Sequence, residues 1–435
     1  MKKQEIAKKI VEKLNQAGHT AFFAGGAVRD ILMNKKPGDF DIATSAKPEE
    51  IEKIFKNTKP VGKQFGVILV IIKSIVFEVA TFRSDFGYSD NRRPDKVKWV
   101  SAKEDAKRRD FTINGIFYDP IAKKYYDYVD GKKDIKAKIL RFIGNPDNRI
   151  QEDSLRIIRA VRFKNRLGFE YETKTKQALL KNAAKIKNVS QERIQEELNK
   201  ILLDENRTEA IKDLEKFGMF EYILPELLKM RGVQQPKNWH QEGDVWTHTL
   251  LCIESLPKKT KLSVAWAVLL HDVGKPATYE IKHRICFYGH CKKSADIADI
   301  ILKRLKFPND LREKIVFLIG QHLRHKDIKR MKEHRARRWA NHEWFKDLLS
   351  VWLADAKGSL PNNFELYDYA KKIYDEEMAK PKKPKKVLTG NDVMEILNIK
   401  PGPEVGKILS LIEDLQWEGK IKTKEEAIKF VKEQK

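Results

Sequence analysis

Two aspartates, Asp39 and Asp41, follow closely on the string Gly25-Gly26-Ala27-Val28-Arg29-Asp30. On an extended strand residues i and i+2 share a face, so both carboxylates converge on one point. Two hard oxygen ligands on one face suit Mg²⁺ carrying substrate phosphates. The paired glycines let backbone N–H groups approach a triphosphate closely, because no Cβ intervenes. Arg29 can add a charge-assisted fork to the same phosphates. A glycine pair alone is a turn, and an Asp-x-Asp alone is a solvated loop. Together, behind the apolar strand-type run Phe22-Phe23-Ala24, they read as metal-dependent nucleotidyl transfer.

Two further strings could complete such a site. Arg108-Arg109-Asp110-Phe111-Thr112-Ile113-Asn114 combines arginines that fit phosphates with Asp110 and Asn114, which can hydrogen-bond ribose hydroxyls. As a bare string it is equally a solvated helix cap. In Glu152-Asp153-Ser154-Leu155-Arg156, the aspartate and arginine are three apart and are expected on one helix face, with Arg159 and Arg162 continuing the stripe. That spacing also makes an ordinary surface ion pair. The sharper alternative is base reading. Arg156 would donate to a ring nitrogen while Asp153 accepts from an exocyclic amine. Cytosine (N3, N4) and adenine (N1, N6) offer that polarity, and uracil and guanine offer the reverse. One Asp/Arg pair could therefore accept CTP and ATP and reject UTP and GTP, whose groups would face like partners.

A second constellation lies downstream. His248, the adjacent His271-Asp272 after an apolar helix, His290, His322 and Asp355 could make a mixed nitrogen and oxygen site for a divalent metal in a helical bundle. Lys275 could neutralise developing phosphate charge there. A lone histidine in a helix is more often packed or solvated, so the His-Asp pair carries this reading.

The elements that must position these groups follow from pattern. Residues 1–18 predict a helix, and residues 20–120 alternate short apolar strands with polar turns. Val67–Ile72 and Ile75–Ala80 read as paired strands turning at Lys73-Ser74. From about residue 140 the pattern is mostly helical. Asp85–Pro94 reads as a polar loop between strands, and Lys380–Lys386 as a charged, proline-punctuated linker. The predicted fold class is α+β, a mixed-sheet head followed by a long, mainly helical remainder. The chain has 435 residues, with Lys+Arg 87 against Asp+Glu 62 and a net charge of +25. That excess predicts a polyanionic partner, nucleic acid first. Three cysteines cannot build a disulfide framework, and no apolar run reaches the ~18 residues that span a bilayer, so a cytoplasmic protein with no membrane partner is expected.

With these strings in place, the first third of the chain resembles the bacterial class II tRNA nucleotidyltransferases, the CCA-adding family shared with bacterial poly(A) polymerases. The matching segments are GGAVRD with DFD, the loop ending DNRRP, RRDFTIN, DGKKDIKAKILRFIGNP and EDSLRIIRAVRF. The resemblance implies a head over 1–138, a nucleotide-reading and RNA-binding neck over 139–235, and a helical tail over 387–435. It implies that Gly25, Gly26 and Arg29 hold the triphosphate and that Asp39 and Asp41 hold Mg²⁺, with Glu78 as a third carboxylate. It also implies that Arg109, Asp110, Asn114, Asp153, Arg156, Arg159 and Arg162 bind the nucleotide, and that tRNA, CTP and ATP are the partners. Poly(A) synthesis, partial CC or A addition, and an RNA-binding protein with an inactive head are the alternatives. Residues 236–379 resemble the HD phosphohydrolases. That likeness maps His248, His271, Asp272 and Asp355 onto the H…HD…D motif, with His290 and His322 as ligands of a second metal, Mg, Mn, Ni or similar. It implies hydrolysis of phosphomonoesters or cyclic phosphodiesters.

Overall fold

The computed structural model describes residues 3–87, 96–379 and 386–433. The chain divides into two compact units, 1–225 and 226–435.

The first unit opens with α1 (Lys3–Gln16), whose Ile6, Ile10, Val11 and Leu14 recur at helical spacing and are fully buried. Next come β1 (Ala21–Ala24), α2 (Gly26–Leu32), β2 (Asp41–Thr44), α3 (Pro48–Ile54) and β3 (Thr58–Gly62). The predicted hairpin is β4 (Val67–Ile72) and β5 (Ile75–Thr81), with Ile72 opposite Ile75. Lys73 and Ser74 both take positive φ, 50° and 61°, the backbone that a two-residue hairpin loop requires. Strands β6 (Arg83–Phe86) and β7 (Lys96–Trp99) form a separate ribbon, followed by α4 (Ala102–Arg108), β8 (Ile116–Asp119) and β9 (Lys124–Asp127). The main sheet runs β3-β4-β5-β2-β1-β8-β9. Its β2–β5 pair is parallel and the others are antiparallel, so the sheet is mixed, as predicted.

Strand β1 is buried on both faces because alternate side chains enter different cores. Ala21 and Phe23 pack with α1 and Phe77, whereas Phe22 and Ala24 pack with Phe82, Ala106 and Phe117. The strand is thereby clamped, and the Gly25 turn at its end is held in place. The rest of this unit is largely helical: α5 (Gly131–Ala137), α6 (Pro146–Glu152), α7 (Arg156–Leu167), α8 (Thr173–Asn182), α9 (Gln191–Leu202) and shorter segments.

Two expectations are corrected here. Asp85 and Phe86 belong to strand β6, not to a loop, because Asp85 pairs with Arg83 at 2.8 Å and its backbone pairs with Val97. The remainder of that predicted loop from residue 88, and the linker over 380–385, lie outside the described residues. Asp153 and Arg156 do not share a helix face. Asp153 is the extended residue closing α6, with φ −150° and ψ 102°, and α7 starts at Arg156. The bond from the Leu155 N–H to the Asp153 carboxylate, 3.1 Å, stabilises the turn between the helices.

The second unit is helical apart from one two-residue hairpin, Glu280–Ile281 with Ile285–Cys286. Helix Leu262–Leu270 is buried along its whole length, among helices Val245–Glu254, Asn309–Gly320 and Phe345–Gly358. The C-terminal helices close a small core of Leu388, Val393, Val405, Ile412, Ile421, Ala427 and Val431. No helix among the described residues is long and apolar enough to cross a membrane.

Candidate active site

The mouth of the first unit's sheet is built around Gly25, whose φ is 63°. That left-handed backbone is what favours glycine, since a Cβ there would make only ordinary contact, 3.5 Å from Arg109 Nη1 and 3.7 Å from Asp41 Oδ2. Asp41 begins β2, and Asp39 lies two residues earlier with Phe40 buried between them. The two acids thus point away from the core together, as their spacing predicts. In the β2–β5 register Ile42 pairs with Val79, which sets Glu78 beside Asp41. Burial raises the pKa of Asp41, with the charge of Asp39 adding to the effect and Arg109 opposing it. Burial likewise raises that of Glu78, with Asp41 adding. Three carboxylates that repel one another on a strand edge form a donor set suited to a hard cation. Asp39 is the most exposed and is paired with Lys3.

Beside these acids a cleft of about 470 Å³ is lined by Gly25, Gly26, Arg29, Asp41, Arg109, Asp110, Asn114, Asp153, Arg156, Arg159 and Arg162. It also carries Arg108, whose string was read as phosphate-fitting, and Phe163, Arg166 and Arg193, which were not singled out as ligands from the sequence. Asp39 and Glu78 sit outside its lining, next to Asp41.

Most of the arginines are held by a carboxylate. Arg29 donates Nε to Asp30 at 3.0 Å and Nη1 to Asn114 at 2.8 Å. Asp105 is 1% exposed and accepts from Arg108 at 2.9 Å and Arg109 at 3.0 Å. Burial alone would raise its pKa, but the two guanidinium groups hold it below the usual value. Arg156 binds Glu152 at 2.6 Å and the Arg149 carbonyl at 2.9 Å, and the buried Glu197 takes Arg162 at 2.5 Å. Asp153 is gripped by Arg193 through two bonds of 3.0 and 2.8 Å. Arg159 donates Nε to Asp110 at 3.1 Å, and Asn114 donates to the same carboxylate at 3.0 Å. Burial acts to raise the Asp110 pKa and is overcome by Arg159 and Asn114, which bring it down to about 2. The acids Asp105, Glu152 and Glu197 orient the cations. Glu152 opens a recognised string, Asp105 stands three and four residues before Arg108 and Arg109, and Glu197 carries no local signal for its partner.

The second unit gathers the other predicted group. His271, His290 and His322 each place Nδ1 within 2.8 Å of the backbone carbonyl three residues earlier, on Val268, Phe287 and Ile319. A carbonyl only accepts, so Nδ1 carries the proton and the Nε2 lone pair is presented inward. His248 does the same through Glu242, 2.9 Å from its Nδ1. The Nε2 atoms converge: His248 to His271 at 3.3 Å, His290 to His322 at 3.3 Å, and His248 to Asp355 at 3.1 Å. Asp272 lies between the two pairs, with Oδ2 3.2 Å from His271 and Oδ1 3.6 and 3.7 Å from His290 and His322. It is 1% exposed, and neither oxygen accepts a bond in hydrogen-bond geometry. Burial pushes the His322 pKa down to about 3, which keeps its imidazole neutral. A buried carboxylate set between two pairs of imidazoles whose Nε2 atoms face inward fits two divalent ions. Lys275, read as a phosphate neutraliser, is largely buried at the cavity wall with Nζ 2.6 Å from Asp272 and 2.7 Å from Gln235. Glu242, Cys252 and Cys291 were not anticipated; Cys252 Sγ stands 3.3 Å from His248 Nε2. A cavity of about 570 Å³ opens on this cluster and is walled by Trp239, Phe287, Tyr288, Trp352 and Tyr367.

A mixed sheet that presents an acidic trio beside an arginine-lined cleft defines a nucleotidyltransferase head. The chain matches family models described as the Poly A polymerase head domain over residues 21–141, the probable RNA and SrmB-binding site of polymerase A over 168–230, and the putative tRNA nucleotidyltransferase domain 2 over 286–431. It is 33% identical over 430 residues to a CCA-adding enzyme of Geobacillus sp., covering 96% of this chain and 94% of that one. A Staphylococcus saprophyticus CCA-adding enzyme is 46% identical over 220 residues, which are 50% of this chain and 55% of that relative. The crystal structure of the Bacillus stearothermophilus CCA-adding enzyme in complex with CTP superposes with a TM-score of 0.70 at 28% identity, covering 100% of this chain and 98% of that one. The chain belongs to the CCA-adding tRNA nucleotidyltransferase family.

Proposed function

We propose that this chain adds CCA to the 3′ end of tRNA from CTP and ATP without a nucleic-acid template. The observation that carries this reading is the cleft in which Asp41 and Gly25 face Asp153 and Arg156 across a field of arginines. Arg29, Arg109, Arg159 and Arg162 would bind the triphosphate. Asp153 would accept from the exocyclic amine of cytosine or adenine, and Arg156 would donate to the adjacent ring nitrogen. The tRNA 3′-hydroxyl attacks the α-phosphorus, a new phosphodiester forms and pyrophosphate departs. Asp39, Asp41 and Glu78 would hold two Mg²⁺ ions, which when bound supply Lewis acidity at the attacking and leaving oxygens. The net charge of +25 supports binding to the tRNA backbone, with affinity that falls as salt rises. The test is incubation of tRNA lacking its 3′ end with each labelled nucleotide. CTP and then ATP should be incorporated, and UTP and GTP refused. Asp41→Ala should abolish incorporation while tRNA binding persists. Incorporation of ATP alone in long runs would instead identify a poly(A) polymerase, and wild-type turnover by the variant would remove Asp41 from the chemistry.

The convergence of four Nε2 atoms on the buried Asp272 carboxylate favours a second reading for residues 236–379, a metal-dependent phosphohydrolase. His248, His271, Asp272 and Asp355 would hold one divalent ion, and His290 and His322 would share Asp272 with another. When bound, such ions activate water and polarise a phosphoryl oxygen. The aromatic cavity beside them would receive the ester. The double variant His271→Ala, Asp272→Ala should lose bound metal and the hydrolysis of 2′,3′-cyclic phosphates. Undiminished hydrolysis in that variant would refute the assignment.

A further inference from the structure

The Asp153 carboxylate reaches the cleft with most of its acceptor capacity already used. Arg193, in the first turn of α9, donates Nη1 to Oδ1 at 3.0 Å and Nη2 to Oδ2 at 2.8 Å. The Leu155 N–H donates to Oδ1 at 3.1 Å. A carboxylate offers about four lone-pair positions, two on each oxygen. Both positions on Oδ1 are therefore taken, and Oδ2 keeps one. The two side chains are only 18% and 16% exposed, so water competes weakly for the fork. Two parallel bonds from a planar guanidinium fix the carboxylate plane as well as its position. Arg193 is the only arginine lining the cleft that comes from α9, and both of its Nη atoms are committed to Asp153.

We propose that Arg193 is the positioning residue for nucleobase selection, acting through Asp153. This rests on the reading of Asp153 as the acceptor for the exocyclic amine. The fork, with the Leu155 N–H, leaves a single lone pair, on Oδ2, and holds that oxygen stationary. A base bearing an amine at that edge donates into it. A base bearing a carbonyl there sets oxygen against oxygen with no proton between them, and the fixed carboxylate cannot turn away to relieve the contact. Without the fork the carboxylate is free to rotate, and the penalty against the carbonyl base falls. Lysine cannot substitute, because an ammonium is a point charge without the planar pair of donors.

Arg193→Met and Arg193→Lys test this, by single-nucleotide insertion kinetics for CTP and UTP on tRNA lacking its 3′ end, with circular dichroism to confirm folding. The methionine variant should narrow the CTP-to-UTP ratio of kcat/KM by about tenfold or more, with KM for CTP raised. The lysine variant should fall between it and wild type. A role confined to packing α9 would lower the melting temperature and slow all nucleotides together, leaving the ratio intact, and that result overturns the proposal. If the methionine variant does not fold, an unchanged ratio in the lysine variant overturns it equally. Asp153→Ala is measured in parallel. A relaxed ratio there beside an unchanged ratio in the Arg193 variants refutes the positioning role alone, whereas an unchanged ratio in Asp153→Ala refutes the base-reading assignment on which it stands.

Discussion

Replacing Asp110 by asparagine keeps the side-chain shape and removes the charge on which one corner of the cleft depends. Arg29 donates to Asn114 at 2.8 Å, Asn114 donates to Asp110 at 3.0 Å, and Arg159 closes the chain from α7 at 3.1 Å. Burial works against the Asp110 charge, yet these donors depress its pKa from 3.8 to about 2. That depression makes the ionised form worth roughly 2 kcal/mol to the folded state. The folded value lies below the unfolded one, so this stability is present above about pH 4 and is lost as pH falls through about 2. Asp110→Asn should therefore unfold about 2 kcal/mol more easily at pH 7, and by pH 3 roughly half of that difference should have vanished, because the unfolded chain has by then taken up the proton that the folded protein still refuses. Urea unfolding read by hydrogen exchange in peptides covering 106–118 and 156–167 isolates the relevant unit. KM for CTP should rise as Arg159 and Arg29 lose their anchor. An equal offset at both pH values, or none at pH 7, would refute the electrostatic account.

Gly131→Ala should destabilise the head by about 1–3 kcal/mol, seen as a lower melting temperature. Its Cβ would stand 2.2 Å from the Thr112 carbonyl and 2.8 Å from Ile116, in the turn that carries Asn114; a melting temperature equal to wild type would contradict this. The double variant His271→Ala, Asp272→Ala should retain CCA addition near the wild-type rate, because the histidine–aspartate cluster and the transferase cleft are built within separate compact units. Parallel loss of both activities in a folded protein would show that the sites are coupled.

The strand–glycine–Asp-x-Asp order was legible because its logic is local: Phe22 to Ala24 extend, Gly25 turns, and Asp39 and Asp41 flank a buried Phe40. The β4–β5 hairpin was legible for the same reason, down to its two turn residues. Asp153 and Arg156 were recognised as a pair but misplaced on one helix. Their spacing of three also fits a junction between helices, and only the extended backbone of Asp153 distinguishes the two arrangements. The contact of Lys275 with Asp272 was not legible, although the structure does place Lys275 in the lining of the cavity beside the cluster.

By itself, the sequence determined the residue types that do the chemistry, their order, the α+β class and the basic charge. Each of these depends on neighbours within a few positions, on periodicity or on composition. The tertiary structure alone decided the arginine–carboxylate pairs whose partners lie far apart in the chain. Arg193 meets Asp153 across 40 residues, Glu197 meets Arg162 across 35 and Arg159 meets Asp110 across 49. The same holds for Asp272, whose place between two histidine pairs depends on His248, His290 and His322 being brought from three other segments to the end of the helix that His271 caps. No local pattern records such pairings, since each is fixed by the packing of whole elements rather than by the residues on either side.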